Sequence, residues 1–148
     1  MKRAPLLLVL FFVLAACPPP AAAPTPAPVP AQVIQLNAPG ELVDVEASFV
    51  PGYVVVVDFW ATWCGPCEVM EAELMKQIAG EPRILVRKVD VGDGDTPVAD
   101  HYQIGPLPHL RVYDTHGELR YMLKSKEALQ AGEKALQVLR EDEAQATR

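Results

Sequence analysis

A chain of 148 residues, half of them apolar, is long enough for one domain with a core of its own. A formal net charge of −6 excludes nucleic-acid binding through a basic face, and no apolar run approaches the roughly twenty residues that a membrane-crossing helix needs.

Lys2 and Arg3 precede the apolar run Leu6 to Leu14, and Ala15 and Ala16 follow it. A basic end, a short apolar stretch and small residues are the parts of a secretory signal, so residues 1–16 are expected to direct export and then be removed. Leu14, Ala15, Ala16 and Cys17 also resemble the lipobox of bacterial lipoproteins, which implies that Cys17 is lipidated and becomes the mature N-terminus. An ordinary cleavage site with a chance cysteine is the alternative. Lipidation accounts for the cysteine count, since three cysteines leave one odd thiol in an oxidising compartment, whereas setting Cys17 aside leaves a pair. The mature chain would carry 11 basic and 19 acidic residues. Anionic headgroups then offer no attraction, and acyl chains must hold the protein, at about 0.8 kcal/mol per buried methylene. The expected location is the periplasm or the outer cell surface, lipid-anchored to a membrane.

Pro18 to Pro30 contain seven prolines and four alanines. That composition cannot build a core and favours extended polyproline II, so residues 17–32 read as the lipidated cysteine and a tether. At about 3.1 Å per residue the tether would hold the domain roughly 40 Å from its anchor. The folded domain is expected over 33–148. Val33, Ile34 and Leu36 suit a short strand, Pro39 and Gly40 a turn, and Glu41 to Phe49 a weak helix or loop that Pro51 and Gly52 end.

Val54 to Cys67 reads VVVVDFWATWCGPC. Four valines with Phe59 and Trp60 suit a strand covered on both faces of a parallel or mixed sheet. Asp58 inside that run is costly as an unpartnered anion, so it needs a raised pKa, a partner, or both. Cys67, Met70, Leu74 and Ile78 recur at helical spacing, so a helix begins at or near the cysteines. Cys64 then meets unpaired backbone N–H groups and the positive end of the helix dipole, which favour its thiolate. Cys67, one turn further in, is expected to be less exposed. The pair thus divides into an attacking and a resolving member, as thiol–disulfide exchange requires. Pro66 fits the first helical turn, where its missing N–H is not needed.

Trp63, Cys64, Gly65, Pro66 and Cys67, preceded by Asp58, Phe59, Trp60 and Ala61, resemble the active site of the thioredoxin family. A bare pair of cysteines two residues apart also serves zinc sites, but the longer string is specific, and the resemblance covers roughly the last three quarters of the chain. It implies an α/β fold of thioredoxin type, a central mixed β-sheet flanked by helices.

Gly80 and Pro82 close the active-site helix, and Ile84 to Val89 read as the next strand. The resemblance implies that Lys88 lies near the buried acid and partners Asp58; an exposed lysine at a strand end is the alternative. Gly92 to Asp95, reading GDGD, is a turn, and Thr96 with Pro97 opens a short helix to Tyr102. The aspartates miss the EF-hand spacing, so calcium is not expected. Ile104 to Leu110 reads IGPLPHL, and two prolines ahead of the alternating strand Leu110 to Asp114 demand a special backbone. The resemblance implies that Pro108 is a cis-proline opposite the cysteines, opening the backbone of Leu107 to an extended substrate as in strand addition. Pro108 lies 44 residues after Cys64, enough for one strand, one helix and their turns but not for a large helical insertion. His109 stands where the family has threonine. Set over Cys64 it would stabilise the thiolate or bias partner choice; a solvated histidine is the alternative. Leu119, Tyr121 and Leu123 alternate as an outer strand after the His116 and Gly117 turn. Ser125 is expected to cap a last helix with Leu129, Leu136 and Leu139 on its apolar face.

The expected chemistry is two-step exchange. Cys64 attacks a substrate disulfide, and Cys67 displaces the product while Asp58 accepts its proton. Trp63, Gly65, Pro66, Leu107 and Pro108 form the docking surface. No cofactor is expected beyond the cysteine pair, and His101, His109 and His116 lack the spacing of metal ligands. The expected partners are disulfide-bearing proteins of the envelope and, for a reductase in an oxidising compartment, a membrane electron-donor protein. A disulfide-forming oxidase and a non-catalytic binding module with a structural disulfide stand as alternatives.

Overall fold

The computed structural model describes residues 28–148, so the expected signal, the lipobox with Cys17 and the tether as far as residue 27 lie outside the described residues. Eight regular elements follow in chain order. They are β1 (Val33–Gln35), β2 (Val54–Trp60), α1 (Gly65–Gln77), β3 (Ile84–Asp90), α2 (Pro97–Tyr102), β4 (His109–Tyr113), β5 (Leu119–Lys124) and α3 (Ala131–Ala146).

The sheet runs β1-β3-β2-β4-β5. Strands β1, β3 and β2 are parallel, and β4 and β5 are antiparallel to their neighbours. The valine run lies in the middle, and every residue from Val54 to Phe59 is buried, as a strand flanked and covered on both faces must be. Alternation sends Val54 and Val56 to a core shared with Met70 and Leu74 of the first helix, Ile78 just past its end, and Ala131, Ala135 and Val138 of the last. Val55, Val57 and Phe59 face the opposite core, closed by Val98, Ala99 and Tyr102 of α2 and by Val45. The domain is therefore a three-layer α/β structure with a mixed sheet between helices, as the sequence predicts.

The stretch Glu41–Phe49, expected as a weak helix or loop, is a loop holding one 3-10 turn, Glu46–Ser48. Two details differ from expectation. Strand β4 starts at His109, one residue early. The second difference is larger: Ser125 does not cap α3. It adopts a left-handed φ of 51° and opens a 3-10 segment, Ser125–Gln130, ahead of the helix. A 3-10 turn has three residues per turn, so it rotates Leu129 out of phase with the helix behind it. Leu129 is consequently exposed, and the buried face of α3 is Ala131, Ala135, Val138 and Leu139, with Leu136 only packed against it.

Candidate active site

The loop after β2 delivers the two cysteines to the start of α1. Cys64 occupies the position before the helix, and Pro66 lies in its first turn. The N–H of Cys67 donates to the carbonyl of Cys64 at 3.1 Å, and a disulfide joins the two sulfurs. In this oxidised form the expected difference in exposure is slight, 5% for Cys64 against 3% for Cys67. The two are distinguished by position instead. Cys64 stands outside the first turn, beside its unpaired N–H groups, and Cys67 within it. Trp63 is 60% exposed, and its indole N–H donates to the carbonyl of Gly92 at 2.7 Å, so the GDGD turn carries the aromatic wall beside the pair.

Asp58 points to the face covered by the first and last helices and is buried, with neither carboxylate oxygen hydrogen-bonded among the described residues. Burial raises its pKa to about 7, moderated by Lys88 and reinforced by Glu71. The expectation of a perturbed acid is met. The expected partner is not: Lys88 is in register with Asp58 across the parallel strands, yet its ammonium reaches α1 and pairs with Glu71 at 2.6 Å. It also lies 4.7 Å from the centroid of the Trp60 ring. A four-carbon stem lets lysine choose the partly exposed helix carboxylate.

The Leu107–Pro108 bond is cis. Pro108, Leu107, Gly65, Pro66, Val69 and Met70 line one shallow groove of about 480 Å³, completed by Ser125, Lys126 and Leu129. The carbonyl of Pro108 accepts from the N–H of Ser125 at 2.9 Å, and Leu107, just before it, packs against the cluster that includes Cys64 and Cys67. His109 departs from both sequence readings. It is fully buried, neither ring nitrogen is hydrogen-bonded among the described residues, and its ring meets Phe59 edge-on at 5.7 Å. Burial, with Arg111 and Lys124 nearby, lowers its pKa to about 4. A neutral imidazole brings no positive charge to a thiolate, so that role is withdrawn.

Sequence reasoning missed Glu71, Val69, Ser125, Lys126 and Leu129. For Glu71 a signal existed, because it stands four residues after Cys67 and so shares its side of the helix. Ser125, Lys126 and Leu129 belong to the 3-10 segment, and Val69 lies on α1 facing the groove that this segment completes. Among the described residues, no cluster of three His, Cys, Asp or Glu side chains could hold a metal ion, and no helix is long and apolar enough to cross a membrane.

Comparison with known proteins agrees with this geometry. The family described as Thioredoxin matches residues 47–135. The thioredoxin of Chlamydia pneumoniae is 32% identical over 84 residues, 55% of this chain and 81% of that protein. The thioredoxin of Mycoplasma pneumoniae is 33% identical over 82 residues, 53% and 79% of the respective chains. Among solved structures, the reduced Schistosoma mansoni thioredoxin pre-protein aligns with a TM-score of 0.56 and 27% identity over 73% of this chain and 99% of that one.

Proposed function

The chain belongs to the thioredoxin family of protein-disulfide oxidoreductases, and on that premise we propose that it acts tethered to a membrane of the bacterial cell envelope, reducing or exchanging disulfides of exported proteins. One observation carries the reading. The Cys64–Cys67 disulfide sits where α1 begins, at the rim of an apolar groove whose other wall is the cis bond at Pro108. The signal, the lipobox and the proline-rich tether support the envelope and the lipid anchor at Cys17.

In the reduced enzyme Cys64 thiolate attacks one sulfur of a substrate disulfide, and the other leaves as a thiolate that takes a proton from solvent. Cys67 then gives its proton to Asp58 and attacks Cys64. The bond between Cys64 and the substrate breaks, and the second substrate sulfur leaves as a thiolate that takes a proton from solvent. Asp58 returns its proton to solvent, and two electrons have passed from the cysteine pair to the substrate. Trp63, Gly65, Pro66, Leu107 and Pro108 hold the substrate strand. A membrane electron-donor protein restores the dithiol, because an oxidising compartment does not.

Cys67→Ser is expected to accumulate mixed disulfides with envelope proteins, visible as ladders on non-reducing gels, and Cys64→Ser is not. Ladders from Cys64→Ser alone would reverse the roles. Alkylation of intact cells then sets the direction. A mostly reduced pair supports the reductase, a mostly oxidised but readily reduced pair makes the protein an oxidase, and a pair that resists reductant makes it a binding module.

A further inference from the structure

The Lys88–Glu71 pair is a feature that the exchange chemistry itself does not use. Asp58 and Lys88 are register partners on adjacent parallel strands and share one face of the sheet, so the nearest cation to the buried carboxyl has only to turn back to reach it. Instead it is drawn to Glu71 at 2.6 Å and rests against Trp60. Both Asp58 oxygens are left without a hydrogen bond among the described residues. Among the described residues, the other elements packed on that face bring no charge that bears on Asp58. Strand β4 places Leu110 opposite Asp58, β5 contributes Leu123, and the last helix contributes Ala131, Ala135 and Val138. Glu71 and Lys88 are accordingly the two charges that bear on Asp58.

We infer that Glu71 is a positioning residue for the resolving step: its carboxylate holds the Lys88 ammonium off Asp58, so that Asp58 stays unpaired and able to take the proton of Cys67. This rests on the reading of Asp58 as proton acceptor. Cys67 and Glu71 are one turn apart on α1, so the residue that resolves the mixed disulfide and the residue that governs its acceptor are carried by the same rigid helix. Without Glu71 the ammonium is released toward Asp58, on which it already bears. An ion-paired Asp58 is a weaker base, and the proton transfer that frees Cys67 slows.

The test uses the full chain, reduced, mixed with one equivalent of a chromogenic aryl disulfide. Attack by Cys64 liberates one aryl thiolate and displacement by Cys67 liberates the second, so the second release reads the resolving step as pH is raised. Glu71→Gln is expected to move the midpoint of the second release toward acid by about one pH unit and, above neutrality, to slow the second release more than the first. Lys88→Met is expected to move the midpoint toward alkali. Introduced into Lys88→Met, Glu71→Gln should then shift it far less than it does alone, because the residue to be positioned is gone. A midpoint that stays in place or moves toward alkali in Glu71→Gln overturns the assignment, as does an equal shift with and without Lys88. Asp58→Asn separates this from the reading beneath it. If the second release keeps its midpoint without that carboxyl, Asp58 is not the acceptor, and the role of Glu71 falls with it.

Discussion

Asp58 and His109 lie on opposite faces of the sheet and are linked to folding in opposite senses. Asp58 has its pKa raised by burial to about 7, against roughly 3.9 in an unfolded chain. Between those values the folded state holds a proton that the unfolded state has lost, so this contribution is fully present below about pH 4 and is lost as pH rises toward 7. His109, lowered to about 4 by burial and by Arg111 and Lys124, does the reverse. The unfolded chain protonates near 6.5 while the folded one stays neutral, so stability is lost as pH falls from about 6.5 to 4. At 1.36 kcal/mol per unit the two are on the order of 4 and 3 kcal/mol at most, and over the shared window they offset. Each substitution should unmask the other. Asp58→Asn is expected to be more stable than the parent chain at pH 8, with the gain shrinking toward zero near pH 4. His109→Thr should gain on the parent as pH falls through 6. Urea unfolding across pH measures both, and parallel curves for parent and variants would refute the linkage. The perturbation of Asp58 is legible in the sequence, because a carboxylate inside VVVVDFW has no water. The fate of Lys88 is not, because two carboxylates compete for it and only the placement of α1 beside β3 decides which one wins.

At the scale of elements, the helix starts were readable and one junction was not. Thr96 accepts from the N–H of Ala99 as an N-cap and Pro97 follows it, a local device that three residues are enough to encode. The approach to the last helix is different, because it is set by contact with the active-site helix. Gln77 donates to the carbonyl of Leu129 at 2.9 Å and accepts the N–H of Glu133 at 3.2 Å, so the end of one helix supplies hydrogen bonds to the start of the other. Gly132 makes this approach possible. A Cβ there would lie 2.5 Å from the Cβ of Gln77, an atom that cannot swing aside. Gly132→Ala is therefore expected to destabilise the domain by about 1–3 kcal/mol in chemical denaturation, although at an exposed helical position the same change stabilises by roughly 1 kcal/mol. A more stable variant would mean that the two helices are free to separate.

On the scale of the whole molecule, the segment that leads into β1 and the redox site lie at opposite ends of the sheet. Gln32 bonds to the carbonyls of Glu81 and Ile84 where β3 begins, and the buried Arg87 holds the carbonyl of Ala31. The cysteines follow the far end of β2, seven residues or roughly 20 Å away. A chain anchored through Cys17, as proposed, would enter the domain at the end remote from the cysteines. Deleting residues 18–27 is expected to leave exchange with a small aryl disulfide unchanged while fewer mixed disulfides with envelope proteins are captured in the Cys67→Ser background. Equal capture would make the tether a passive spacer. By itself the sequence determined the central strand, the redox pair at a helix start and the buried acid, and its resemblance to the thioredoxin family implied the class of fold. The first three are written in contiguous residues whose spacing and polarity act locally. Only the tertiary structure decided the cation's partner, the burial of His109, the exposure of Leu129 and the groove it completes, because each depends on which of several distant segments arrives within a few ångströms.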